Sequence, residues 1–172
     1  QAEATNLLLG ALHYARGSAV LGRTLVSLCA GTGTCSNSPH WHSDLLVFED
    51  RNKNGQIDNS ETLLKKISTP AGFSWHWSNF RSANYLQYEE NGTTRALNGT
   101  FTLCHKHQAL KLIVVNVTGR ARTCAISTDN NSRTSRAAQA NASVSSGKSS
   151  QYKPLTYTSE SIPVDANKRS AS

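Results

Sequence analysis

Apolar residues Leu7, Leu8, Ala11, Leu12, Ala15, Ala19 and Val20 recur at spacings of three and four, while Glu3, Asn6, Arg16 and Arg23 are polar. This period predicts an amphipathic helix over about residues 2–20, with one face that needs a partner. Beyond it the helical period disappears. Thr24 to Cys29 reads as a strand, followed by a Gly/Thr loop to Cys35 and a turn region around Pro39. The continuous apolar run Leu45-Leu46-Val47-Phe48 predicts a second strand, and Leu63 to Ile67 a third on the far side of an Asn/Gly/Asp-rich connection. Further strands are expected at 73–77, 85–88, 99–104 and 109–115, with turns at Asn91-Gly92 and Asn98-Gly99. One helix followed only by strands predicts an α+β domain in which antiparallel sheet covers the apolar face of the helix.

After Ile126 the pattern fails. Residues 127–151 are dominated by Ser, Asn, Ala and Thr, with Val144 the only large aliphatic residue and no aromatic before Tyr152. Such a stretch buries too little apolar surface to offset its ordering entropy, so residues 1–126 are expected to form the globular domain and 127–172 a mobile basic tail. A total of 172 residues suits one domain plus such an appendage. No signal peptide and no run of about 18 apolar residues is present.

Charge sharpens this division. Residues 1–103 hold eight Lys/Arg and eight Asp/Glu, whereas 104–172 hold ten and three, so the formal +7 lies entirely in the C-terminal part. An excess of that kind suits either solubility or contact with a polyanion, nucleic acid or anionic membrane.

Cys29, Cys35, Cys104 and Cys124 lack CxxC spacing, which argues against a tetrathiolate zinc site and for disulfides in an oxidising compartment. Of three connectivities, the one expected closes the short 29–35 loop and leaves Cys104 to pair with Cys124; four reduced thiols are the alternative.

Several segments invite a chemical reading. The stretch DRNKNGQIDNSE places Asp50, Asn52, Asn54, Asp58 and Glu61 at the ligand positions of a calcium loop, with Gly55 at the turn. Such loops are flanked by helices, whereas this one follows a strand, and Arg51 and Lys53 add positive charge. The preferred reading is a hairpin connection whose Asp and Asn side chains bond local backbone. The pairs His40/His42 and His105/His107 suit zinc in spacing but lack further ligands, so solvated histidines are expected. Trp75 and Trp77 alternate as core residues do, in preference to base-stacking platforms. Neither a nucleophile elbow, a zincin motif nor a Walker loop occurs, which agrees with a non-enzymatic role and no cofactor. Five Asn-x-Ser/Thr sequons, at Asn91, Asn98, Asn116, Asn130 and Asn141, are treated as chance in a chain so rich in Asn and Thr.

Val47-Phe48-Glu49-Asp50-Arg51-Asn52-Lys53-Asn54-Gly55, then Asp58, Glu61, Leu63 and Leu64, resembles the signature of the GspH/FimT family of minor pilins and pseudopilins. The resemblance extends upstream through Trp41, the loop to Cys35, Val26 to Cys29 and the helix with Tyr14-Ala15-Arg16, and covers residues 1 to about 126. It implies a type IV pilin-like fold whose N-terminal helix, in its absent first half, anchors the protein in the inner membrane and then in the pilus core. Gly119-Arg120-Ala121-Arg122 is similar to the Gly-Arg-x-Arg motif of FimT-type members, which implies binding of double-stranded DNA during natural transformation. In an extended chain Arg120 and Arg122 point the same way and suit successive phosphates. Lys106, Lys111, Arg133 and Arg136 are expected to widen the patch. The family further implies major and minor pilins as partners, and location in the inner membrane, the periplasm and then the extracellular pilus. The assembly-only alternative is a FimU-like pilin or secretion pseudopilin that primes or caps the fibre; a calcium-binding extracellular module is the third reading.

Overall fold

The structure, a computed structural model, describes residues 1–126. The tail expected over 127–172, with Arg133 and Arg136, lies outside the described residues. Helix α1 spans Ala2–Gly22 and ends at Arg23, whose left-handed φ of 48° closes it. Nine strands follow: β1 Val26–Ala30, β2 His40–Trp41, β3 Leu45–Glu49, β4 Leu63–Ile67, β5 Phe73–Asn79, β6 Leu86–Tyr88, β7 Gly99–His105, β8 Gln108–Val115 and β9 Ala121–Cys124.

Among the described residues the strand pairings are antiparallel, and they form two sheets, ordered β4-β3-β1-β6 and β2-β5-β7-β8-β9. Helix α1 lies against β1, β3, β6 and β9, so it bridges the sheets. Its Ala4, Leu8, Ala11, Leu12, Ala15 and Ala19 are buried, while Val20 and Leu21 at its end are exposed, contrary to the inward position expected for Val20. The small residues let the helix approach the sheet backbone closely. Leu8 and Leu12 join Leu28, Val47 and Leu86 from the first sheet and Trp41, Trp75, Trp77, Phe101, Leu103, Ile113 and Val115 from the second. Phe101 is the hub of the aromatic part, stacked on Trp77 at 4.1 Å and edge-on to Trp41 at 4.9 Å. Fully burying one such side chain stabilises by about 1.5–3 kcal/mol.

The unbroken apolar run Leu45 to Phe48 of β3 has a topological cause: the central strands β1 and β3 are covered on both faces, and β1, although it carries Ser27, is likewise buried throughout. Leu45 and Val47 face the main core, whereas Leu46 and Phe48 face a second cluster with Cys29, Cys35, Ile57 and Tyr85. The Cys29–Cys35 disulfide and the β3–β4 connection roof that second cluster.

Candidate nucleic-acid interface

The turn from β8 to β9 is built by Asn116. Its side-chain oxygen accepts from the Arg120 N–H at 2.9 Å and the Thr118 hydroxyl at 2.8 Å, and its carbonyl accepts from the Gly119 N–H at 2.9 Å. Gly119 has φ +79°, and a Cβ there would lie 2.0 Å from the Gly92 carbonyl oxygen. Only glycine suits both demands. The Arg16 side chain ties the pieces together: Nε donates to the Gly92 carbonyl at 2.8 Å and Nη2 to the Thr118 carbonyl at 3.4 Å. Thr94 adds two bonds to the Val117 carbonyl, from its N–H at 3.0 Å and its hydroxyl at 3.3 Å.

On this braced turn Arg120 and Arg122 are exposed, and neither forms an ion pair with a described residue. Arg122 stands opposite Val114 in the β8–β9 ladder, and Arg120 is two residues earlier at its mouth. Alternation therefore puts both guanidinium stems on one face of the hairpin.

Two residues expected to widen this patch lie elsewhere. Lys106 sits in the β7–β8 turn, at the opposite end of β8 and about 25 Å away along the strand. Lys111 pairs with Leu103 and shares the face of Phe101 and Ile113, opposite to that of Arg122. Sequence periodicity missed the residues that do bear on the turn, Arg16 and Thr94, because they come from other elements, 102 and 23 residues from their turn partners Thr118 and Val117.

The expected bridge between Cys104 and Cys124 is not formed, and both are thiols. Strand β8 runs between β7 and β9, so the two cysteines are two strands apart, about 10 Å, beyond the Cα separation a disulfide spans. The turn is held by hydrogen bonds and glycine packing in place of a crosslink.

The DRNKNG loop is folded on itself. Asp50, at the end of β3, is fully buried. Its Oδ2 accepts from the Ser27 hydroxyl at 2.6 Å, the Gln87 amide at 2.6 Å and the Gly55 N–H at 2.8 Å, while Oδ1 accepts from the Asn54 N–H at 3.1 Å. Ser27 and Gln87 are cross-strand partners, so the sheet itself presents both donors. Glu61, the would-be bidentate ligand, accepts from the Arg51 N–H at 2.9 Å and the Asp58 N–H at 3.1 Å. Asp58 accepts from the amides of Asn52 and Asn54. Gly55, at φ +72°, lies under the Tyr85 ring. The acids and amides thus serve loop closure, as the hairpin reading anticipates. Among the described residues no group of three or more His, Cys, Asp or Glu converges as a metal site.

His40 instead meets His76 across β2 and β5, with Nδ1 atoms 3.3 Å apart. Burial, reinforced by the neighbouring His40, lowers His76 to about 4. His105 lies on Phe73, with ring centres 4.7 Å apart. Trp75 and Trp77 are core residues.

Residues 4–119 match a family described as Type II transport protein GspH, a span that ends one residue before Arg120. The fold is similar to that of the Pseudomonas aeruginosa type IV minor pilin FimU in two crystal forms. One shows 20% identity and a TM-score of 0.56 over 72% of this chain and 92% of that one. The other shows 22% identity and a TM-score of 0.54 over 71% and 85%. The Vibrio cholerae minor pseudopilin EpsH aligns at 12% identity over 72% of this chain and 94% of that one, with a TM-score of 0.47. No curated protein sequence matches. With the family match spanning the helix, both sheets up to β8 and the Gly119 turn, the chain belongs to the GspH family and has a pilin-like fold.

Proposed function

We propose that the chain is a minor pilin that holds extracellular double-stranded DNA by its phosphate backbone, through Arg120 and Arg122, for uptake in natural transformation. The observation that carries this reading is the pair of exposed arginines on one face of a rigidly braced hairpin, neither of them neutralised by a described carboxylate. Guanidinium groups at this spacing suit adjacent phosphates, and backbone contacts of this kind are strong in salt dependence and weak in sequence preference. Binding of a short fluorescent duplex by the folded domain, lost in Arg120→Gln/Arg122→Gln, is the test.

A second reading is supported by the likeness to FimU, itself a type IV minor pilin, and by the family's type II transport description. Here the chain primes or caps a fibre without touching DNA. Its partners are other minor and major pilins, and the exposed Val20 and Leu21 at the end of α1 offer them an apolar contact. Capture of sibling minor pilins, weakened by Leu21→Ser, with no duplex binding at low salt, is the outcome that selects it. Both readings take the protein as non-enzymatic, anchored in the inner membrane before assembly and exposed in the periplasm or outside the cell afterwards.

A further inference from the structure

Two surface grooves meet at Lys53 and Arg95. The first, about 460 Å³, includes Asp50, Glu89 and Glu90 in its lining, so its cations are partly offset: Arg51 pairs with Glu49 at 3.4 Å and Arg95 with Glu89 at 3.8 Å. The second, about 470 Å³, lies between the β3–β4 and β5–β6 connections. It is lined by Lys53, Arg81 and Arg95 and by no carboxylate. Neither Lys53 nor Arg81 forms an ion pair with a described residue. The amide of Asn84 donates to the Asn37 carbonyl at 3.0 Å and fixes one wall, and Gln87 is held by Asp50.

The backbone around this groove is unusual. Asn37, Lys53 and Ser82 line it with φ of 52°, 64° and 54°, and Ala96, between the lining residues Arg95 and Leu97, has φ 54°. Left-handed conformations at Lys, Ser and Ala are unfavourable and gather where the surrounding structure and a binding role require them. Next in the chain to the lining residue Arg81, Phe80 is 86% exposed while its N–H bonds the Asn98 carbonyl. A large ring held in water on an anchored backbone, next in the chain to Arg81, which forms no ion pair with a described residue, has the composition of a single-strand platform.

We propose that this groove binds single-stranded nucleic acid, with Lys53, Arg81 and Arg95 along the phosphates and Phe80 stacked on an unpaired base. The occupant is a single strand and not a duplex because a duplex hides its base faces in its own stack, leaving Phe80 nothing to cover. The site is separate from Arg120 and Arg122. Arg95 follows Thr94, whose hydroxyl bonds the Val117 carbonyl in the β8–β9 turn.

The test is fluorescence anisotropy of a labelled oligo-dT of roughly 12 nucleotides with the 172-residue chain at low salt. Circular dichroism checks the fold of each variant. Lys53→Gln/Arg81→Gln is expected to weaken oligo-dT binding about tenfold and Phe80→Ala about fivefold, whereas Arg120→Gln/Arg122→Gln stays within about threefold. Absence of oligo-dT binding by the native chain, or equal binding by native, Phe80→Ala and Lys53→Gln/Arg81→Gln proteins, overturns the proposal. Duplex binding measured on the same proteins reports on Arg120 and Arg122 by itself, so either assignment can fail alone.

Discussion

The Gly119 Cα faces the Gly92 carbonyl so closely that a methyl group at Gly119 would sit 2.0 Å from that oxygen, and the same oxygen accepts a 2.8 Å bond from Arg16 Nε. One contact thus links the helix, the β6–β7 connection and the turn that carries Arg120. Replacing Gly119 by Ala adds a left-handed penalty and a backbone clash, and is expected to cost about 2–4 kcal/mol in urea denaturation. Any residual folded Gly119→Ala protein should bind duplex DNA more weakly, since the turn must shift to admit the methyl group.

Asp50 is a buried carboxylate used for folding. Asp50→Ala leaves the Ser27 hydroxyl, the Gln87 amide and the Gly55 N–H without that acceptor, while the Asn54 N–H keeps its bond to Asn52 Oδ1, and should cost about 3 kcal/mol by chemical denaturation. By the same account millimolar calcium leaves the melting temperature of the native protein unchanged, whereas a ligand at about a hundredfold over its Kd would add about 2.7 kcal/mol.

The cysteines should separate cleanly in a thiol titration. The native protein carries the Cys29–Cys35 crosslink, and a loop of that length stabilises by about 2 kcal/mol, the loss expected for Cys29→Ser/Cys35→Ser. Cys124, half-buried on the edge strand, should react with a thiol reagent in the folded state, and the buried Cys104 only on unfolding. Detection of a Cys104–Cys124 peptide after non-reducing digestion would overturn the strand order of the second sheet.

His76 makes stability fall with acid. Its folded pKa of about 4 is below the ordinary value of 6.5, so the unfolded chain binds the proton more readily and stability decreases as pH falls through that interval. Half-burial reduces the effect to about 1 kcal/mol, which corresponds to about 3–4 °C in melting temperature. The comparison that isolates it is native against His76→Gln at about pH 7 and pH 4.5, with the native protein losing more. The cause is the crowding of His76 by the sheet and by His40 at 3.3 Å.

How far the sequence reports this structure depends on the range of the forces involved. The helical period of residues 2–20 and the alternation of Trp75 and Trp77 in β5 are local, and both were legible. The double-sided burial of β3 also left a trace, in the unbroken apolar run Leu45 to Phe48. The division into two sheets left none, because no local signal tells which strand pairs with which. That is why Cys104 and Cys124 read as partners although β8 separates them. Strand β9 reads as a basic segment because its edge position exposes Arg122 and Thr123. Lys111 misleads for a related reason: its charge is visible in the sequence, while the face it occupies is set by pairing with Leu103. The Asp50 loop was legible as a turn through Gly55, but its anchor on Ser27 and Gln87 spans 23 and 37 residues and has no sequence mark.

The central claim concerns two arginines and phosphate, so the most direct measurement is the salt dependence of duplex binding by native and Arg120→Gln/Arg122→Gln proteins of matched circular dichroism. Two neutralised phosphates predict a log–log slope of about −1.8, or about a tenfold loss of affinity between roughly 50 and 200 mM salt. The variant should lose most of its affinity and the slope should become shallower by about that amount, whatever the sequence of the duplex. Native and variant curves that coincide in affinity and slope would contradict the assignment.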